Sequence, residues 1–261
     1  MSDTRILGIL NLTPDSFYAP SRTAPGDVVS VASRMLADGA WALDLGAVST
    51  RPGSAPVSEQ EEWARLEPAL LALRDSLPGC LISVDTYRSG IVQRVYDTIG
   101  RFIVNDISAG GMDSGILPLV GRLGLPYIAM HLHGSPFAPS STPGDVVEDV
   151  IAYFREFSLQ AASFGISDWI LDPGFGFSKT LEQNWSLLYR LSELQCFERP
   201  ILVGISRKSM IWKRYGITPA EALPATQDAH MIALRGGASI LRVHDVAPAV
   251  QTATLFAGEN L

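Results

Sequence analysis

At 261 residues, 47% of them hydrophobic, the chain can bury one large core, and about 250 residues suits a single α/β barrel. Charged residues make up 18%, below the usual quarter, which argues against disorder. An excess of 27 acidic over 20 basic residues excludes a general affinity for nucleic acid or anionic membrane, so an anionic substrate would need local Arg and Lys to hold it.

The hydrophobic pattern divides the chain into eight strand-like runs separated by amphipathic stretches. The first run covers 5–10, and helical spacing follows over 28–39 through Val28, Val31, Met35 and Leu36. A second run at 41–45 leads through a Pro/Gly/Ser-rich loop to a helix capped by Ser58, with Glu61 completing a capping box. Runs at 81–84, 102–104 and 127–130 come next, with helices at 89–99 and 114–123 between them. Helices at 144–164, 181–194 and 219–235 precede the last three runs, 169–171, 200–203 and 239–243, and a final helix covers 247–257. Strands alternating with helices argue for parallel pairing, and eight such units favour a closed (β/α)8 barrel over a doubly wound open sheet. No linker, repeat or low-complexity run interrupts 1–261, which is expected to be a single domain.

Cys80 and Cys196 lack metal or redox spacing and are expected to be buried, reduced thiols. The start, Met-Ser-Asp-Thr-Arg, does not look like a signal peptide and no apolar run reaches membrane-spanning length, so a cytoplasmic location is expected.

In such a barrel the catalytic groups sit at the C-terminal ends of the strands and on the loops that follow. Asp172 shows the pattern: Trp169-Ile-Leu leads into it, and Pro173-Gly174 then breaks the strand. The nearby Lys179-Thr180 suggests a phosphate loop, but the glycines that motif requires are replaced by Pro173 and Ser178. The other strand ends are Asn11, Asp44, Asp85, Asn105, His131, Ser206 with Lys208, and Arg242 with His244; the first two loops carry hydroxyls and Arg51. Asp and Asn also cap helices, and Ser206 could cap a helix beginning at Lys208. So many polar groups at one end are harder to explain structurally, because buried polar groups without partners are costly.

Chemically the ring divides in two. Asp85, Asn105, Asp172 and Lys208 suit a flat heterocycle with neighbouring donors and acceptors. Arg51, Arg242 and His244 suit an anion such as phosphate or pyrophosphate. No Ser-His-Asp order, nucleophile elbow or Cys-His pair appears, which disfavours covalent nucleophilic catalysis.

Eight runs in order resemble dihydropteroate synthase over nearly the whole chain: Gly8-Ile-Leu-Asn-Leu-Thr-Pro-Asp-Ser-Phe17, Ser49-Thr-Arg-Pro-Gly53, Ser83-Val-Asp-Thr86, Val104-Asn-Asp-Ile-Ser108, Met130-His131, Ile170-Leu-Asp-Pro-Gly-Phe-Gly-Phe177, Ser206-Arg-Lys-Ser209 and Arg242-Val-His-Asp245. The resemblance implies a transferase of folate synthesis and a sulfonamide target. That family condenses 6-hydroxymethyl-7,8-dihydropterin pyrophosphate with 4-aminobenzoate. It further implies that Asp172 and Lys208 hold the pterin's amino and carbonyl edge. Asp85 and Asn105 would take the remaining ring nitrogens, with Met130 and Phe177 packing nearby. Asn11 would help hold Mg²⁺ against the pyrophosphate, whose oxygens Arg51, Arg242 and His244 would bind. Phe17, Thr50, Pro52 and Ser206 would wall the 4-aminobenzoate pocket when the first two loops close. The implied chemistry is pyrophosphate loss followed by amine attack, with Asp85, Lys208, Arg242 and His244 serving it electrostatically. The expected partners are the two substrates and a second copy of the chain, with no nucleic acid or membrane.

The chain departs from the family pattern at Ala47-Val48, where Gly-Glu is common, at His133, and in beginning almost at its first strand; these bear on loop dynamics and stability. Three other classes compete. A pterin-dependent methyltransferase would not need Ser206-Arg-Lys-Ser209 or Arg242-Val-His-Asp245. A metal-dependent hydrolase is suggested by His131-Leu-His133 on one strand face, although His131 is expected to pack inside the barrel. A non-catalytic pterin-binding module could lose Arg51 and His244, and this chain has both.

Overall fold

A computed structural model describes residues 4–13, 27–48, 57–134 and 144–259. Eight strands, β1 (Arg5–Asn11), β2 (Ala42–Gly46), β3 (Ile82–Asp85), β4 (Ile103–Asp106), β5 (Tyr127–Met130), β6 (Trp169–Asp172), β7 (Leu202–Val203) and β8 (Ile240–Val243), pair in the order β6-β5-β4-β3-β2-β1-β8-β7. The pairings are parallel, and a bridge between Leu171 and Ile201 joins β6 to β7, closing the barrel. Around it lie α1 (Val28–Ala37), α2 (Glu59–Ser76), α3 (Ser89–Ile99), α4 (Ile116–Leu123), α5 (Val146–Ser163), α6 (Leu181–Tyr189), α7 (Ser209–Tyr215), α8 (Leu223–Arg235) and α9 (Val246–Glu259).

Local chemistry sets where the helices begin and end. Ser58 caps α2 through the Glu61 amide, but the Glu61 carboxylate pairs with Arg65, so the expected box is half formed. A complete box stands instead at α6, where Thr180 and Gln183 each bond the other's backbone N–H. The helix expected over 181–194 stops at Tyr189 and continues as a 3-10 turn, Leu191–Phe197. Its three-residue repeat buries Leu191 and Leu194 on one side and leaves Cys196 exposed. Cys80 is half-buried, so the expectation of two buried thiols fails, although both are free. The stretch before β8 holds two helices rather than one: α7 ends at the left-handed Gly216, and Pro224 stands in the first turn of α8.

Alternation along the strands builds the site. One apolar layer inside the barrel is formed by Leu7, Ala42, Ile103, Ile128, Ile170, Leu202 and Ile240. Two residues further along, the same face of each strand presents Asp44, Asn105, Met130, Asp172 and Arg242. A larger apolar cluster fills the space between barrel and helices. The polar layer therefore rests on a dry floor.

Candidate active site

The polar layer is densest across β1 to β4. Asn11, Gly46, Asp85 and Asn105 stand side by side in register at the strand ends. Below them Arg242 reaches across from β8: its Nε donates to Asp44 Oδ2 at 2.7 Å and its Nη2 to Asp85 Oδ2 at 2.9 Å. Asn105 Nδ2 donates to the same Asp44 oxygen at 3.1 Å, which orients the amide. Asp44 is 0% exposed, and its Oδ1 has no hydrogen-bond partner among the described residues. Burial pushes the Asp85 carboxyl up to about 7, against the pull of Arg242. One guanidinium thus serves a buried carboxylate and a half-buried one, both at the barrel mouth.

The β6 side is built differently. Asp172 is 7% exposed, and its Oδ1 accepts only the Gly174 N–H, at 2.8 Å, among the described residues. Burial raises its pKa, with Lys208 acting against the rise. Lys208 donates to Phe175 O at 2.6 Å and lies 4.8 Å from the centroid of the Phe177 ring; burial pulls its ammonium down to about 8. Met130 and Phe177 pack together with Ile107 and Leu132, an apolar wall beside the polar layer. The loop itself runs through left-handed Gly174 (φ 72°) and Gly176 (φ 80°), and Ser178 shares that conformation at φ 50°.

On the β8 rim, Ser206 Oγ accepts the His244 backbone N–H at 3.2 Å and lies 3.1 Å from His244 Nδ1. Burial, with Arg242 adding to it, pulls His244 down to about 4. A neutral imidazole can still meet an anion through its ring N–H, so the expected placing of His244 against phosphate oxygens stands as an expectation. Ser206 caps no helix: α7 begins at Ser209 behind Lys208, so the capping alternative for Ser206 also fails. Phe17, Thr50, Arg51 and Pro52, together with the Ala47-Val48 loop beyond residue 48, lie outside the described residues.

His131 and His133 diverge. His131 is buried beside the Lys179 ammonium, 2.9 Å from its Nδ1, whereas His133 is exposed. A cation against one ring nitrogen opposes a metal there, and the described residues hold no group of three His, Cys, Asp or Glu side chains suited to a metal. The hydrolase reading has no structural support.

The match to known proteins is extensive. The pterin binding enzyme family model covers residues 7–244. Escherichia coli K12 dihydropteroate synthase is 40% identical over 270 residues, spanning 100% of this chain and 95% of its own. The chain belongs to the pterin binding enzymes, in the dihydropteroate synthase family. A Yersinia pestis dihydropteroate synthase solved as a sulfonamide drug complex superposes with a TM-score of 0.90 at 35% identity, covering 98% of this chain and 94% of that one. The Thermus thermophilus dihydropteroate synthase solved with 4-aminobenzoate gives 0.86 at 36% identity, over 98% and 94%.

Sequence reasoning gave no role to three residues that organise this family site. Asp44 was visible as a strand-end carboxylate, but its partner Arg242 is 198 residues away. Arg207 stands between Ser206 and Lys208 at φ 53°, in the left-handed region. Its guanidinium grips Asp245 at 2.7 and 3.0 Å and the carbonyls of Pro219 and Ala220 at 3.0 and 2.8 Å. That anchorage holds the strained turn which aims Ser206 and Lys208 inward. Lys179 is the third. The only local signal was a buried-position Arg or Lys flanked by site residues, which is too common to single them out.

Proposed function

We propose that this barrel condenses 6-hydroxymethyl-7,8-dihydropterin pyrophosphate with 4-aminobenzoate, giving 7,8-dihydropteroate and pyrophosphate. The observation that carries this reading is one polar layer that sets Asp172, Lys208 and Asn105 beside the Arg242-bridged Asp44 and Asp85. Acceptors and donors in that arrangement suit the edge of a flat pterin. Asp172 takes the amino and N3 edge and Lys208 the carbonyl, while Asp85 and Asn105 meet the other ring nitrogens. Met130 and Phe177 cover the ring face.

The leaving group is assigned to Arg242, His244 and Arg51. Departure of pyrophosphate leaves a methylene cation on the pterin; Asp85 and Asp44 stabilise that charge, and the aromatic amine attacks it. When pyrophosphate claims Arg242, the carboxylates lose their counterion as positive charge forms beside them. Asn11 would hold Mg²⁺: a Cβ at Gly46 would stand 3.7 Å from Asn11 Oδ1 and 3.9 Å from Asp85 Oδ2, so the missing side chain leaves a cradle between two oxygens. That donor set fits an ion bound by one or two protein oxygens and substrate phosphates, and Mg²⁺ there would neutralise pyrophosphate charge. Phe17, Thr50, Pro52 and Ser206 are assigned to 4-aminobenzoate.

Incubating the protein with the pterin pyrophosphate, 4-aminobenzoate and Mg²⁺ should yield dihydropteroate; no product would overturn the reading. Sulfonamides should compete with 4-aminobenzoate, not with the pterin, and bind only with Mg²⁺ and pyrophosphate or its pterin ester present. A cytoplasmic homodimer completes the proposal. Tyr189 and Tyr215, 59% and 52% exposed beside Trp185, offer apolar surface for a second copy, and sedimentation equilibrium tests it.

A further inference from the structure

Beneath the loop that follows Asp172 lies a chain of three side chains from three elements. Asp149 on α5 stands with Oδ2 3.1 Å from His131 Nε2, just past β5. The other ring nitrogen, Nδ1, lies 2.9 Å from Lys179 Nζ. Lys179 Nζ also donates to Gly174 O at 3.0 Å and Phe177 O at 3.3 Å. Its three N–H groups therefore have three acceptors, one on the residue after β5 and two on the loop. The ring is itself held edge-on against Tyr153, with centroids 4.9 Å apart.

The polarity of this chain has one consistent solution. The Asp149 carboxylate can only accept, so His131 carries its proton on Nε2 and Nδ1 must accept from Lys179. Ammonium then spans His131, Gly174 and Phe177 at once; a neutral amine has one donor too few. The spacing between β5 and the loop leaves no slack. A Cβ at Gly174 would come 2.1 Å from His131 O and 3.2 Å from Lys179 Nζ. Other backbone bonds of the loop go to Lys208, to Asn184, which accepts the Gly176 N–H at 2.7 Å, and to Asp172 Oδ1, which accepts the Gly174 N–H at 2.8 Å, while the Phe177 N–H closes back on Gly174 O at 3.1 Å.

We propose that Asp149, His131 and Lys179 are positioning residues: together they fix the height of the 174–177 loop and so aim Asp172 and Phe177 at the pterin. The proposal rests on the pterin role of Asp172 given above. The groups facing Lys179 are His131 and, near it, His133 after β5, Asp149 on α5, Asp172 on β6 and Lys208 before α7. Burial draws the Lys179 ammonium down to about 7, with Asp172 and Asp149 opposing and Lys208 adding to the fall. The brace should therefore weaken as pH rises through the neutral range.

Steady-state kinetics from pH 6 to 9 on Lys179→Met, Asp149→Asn and Asp172→Asn test this, with urea unfolding of each protein. Lys179→Met should raise KM for the pterin pyrophosphate tenfold or more, leave KM for 4-aminobenzoate within twofold, and abolish a rise in the pterin KM above pH 7. Asp149→Asn lies at a half-exposed position and keeps the side-chain shape; it should raise the pterin KM about threefold and shift that rise to lower pH. A role in stability alone would lower the urea midpoint and leave the pterin KM and its pH profile as in the wild type, which overturns the proposal. If Lys179→Met does not fold, Asp149→Asn decides by the same criteria. Asp172→Asn separates the two readings. An unchanged pterin KM there removes the site assignment, whereas a raised KM there with wild-type kinetics in the other two removes the brace alone.

Discussion

The two halves of the barrel mouth handle buried charge in opposite ways. On the β1–β4 side, opposite charges meet directly: Arg242 lies within 2.9 Å of both Asp44 and Asp85. On the β5–β7 side, Lys179 and Lys208 spend their hydrogen bonds on backbone carbonyls and an imidazole, and no ion pair to Asp172 forms within 4 Å among the described residues. Lys208 still favours the charged Asp172 at longer range. The first half is a charge store that a ligand can draw on. The second is a scaffold in which cations act as struts. Asp172 is bonded by a backbone N–H and Asp44 and Asp85 by Arg242, so only the latter two stand to lose a counterion to an incoming anion.

Breaking the charge store should cost most. Arg242→Met strands the buried Asp44 carboxylate and the half-buried Asp85, and loss of one partner from a buried pair costs about 3–5 kcal/mol. It should also damage binding of the pyrophosphate ester more than binding of a pterin lacking it, by calorimetry. The pH dependence sharpens the comparison. The Asp85 pKa is raised on folding from 3.8 to about 7, so its contribution to stability is present below about 3.8 and is lost as pH rises towards 7. Lys179 is lowered from 10.5 to about 7, so its contribution is present at high pH and is lost as pH falls through that window. Urea unfolding should show opposite slopes in the two ranges, and Arg242→Met should steepen only the acidic one.

On the scaffold side the effects shrink. Asp172→Asn replaces one acceptor with a donor facing the pterin N–H groups, and should weaken pterin binding by about 1–3 kcal/mol in calorimetry. Gly174→Ala forces a Cβ into a left-handed residue, a cost of about 1–2 kcal/mol, and pushes it against His131 O. Urea unfolding should register the loss and pterin affinity should fall with it. Thr180→Ala removes the α6 cap, at about 1 kcal/mol of stability, and should leave pterin affinity unchanged because the lost hydroxyl holds the Gln183 N–H, whereas the Thr180 carbonyl that Asn184 bonds is kept. A large affinity loss there would erase the distinction between scaffold and cap.

Much of this was legible along the chain. Asp172, Asn105 and Asp85 follow apolar runs and precede turn chemistry, so their place at the strand ends needed only the period of two. The capping box was misplaced to Ser58 and Glu61 because Arg65, one turn on, competes for the same carboxylate. Lys179 was misleading: its neighbourhood suggested a phosphate loop, and its acceptors, His131 Nδ1 and Gly174 O, become visible only when β5 and β6 lie side by side.

The sequence by itself determined the alternation of strands and helices, the closed barrel it implies, and the polar ring at its mouth, because side-chain direction along a strand is a local property. Tertiary structure alone decided which members of that ring neutralise one another. The Arg242 pairings to Asp44 and Asp85 span 198 and 157 residues and depend on barrel closure, which places β8 beside β1 and across from β3. Protonation followed from the same decision: His244 is neutral because closure buries it beside Arg242, and nothing in Arg242-Val-His-Asp245 specifies that burial.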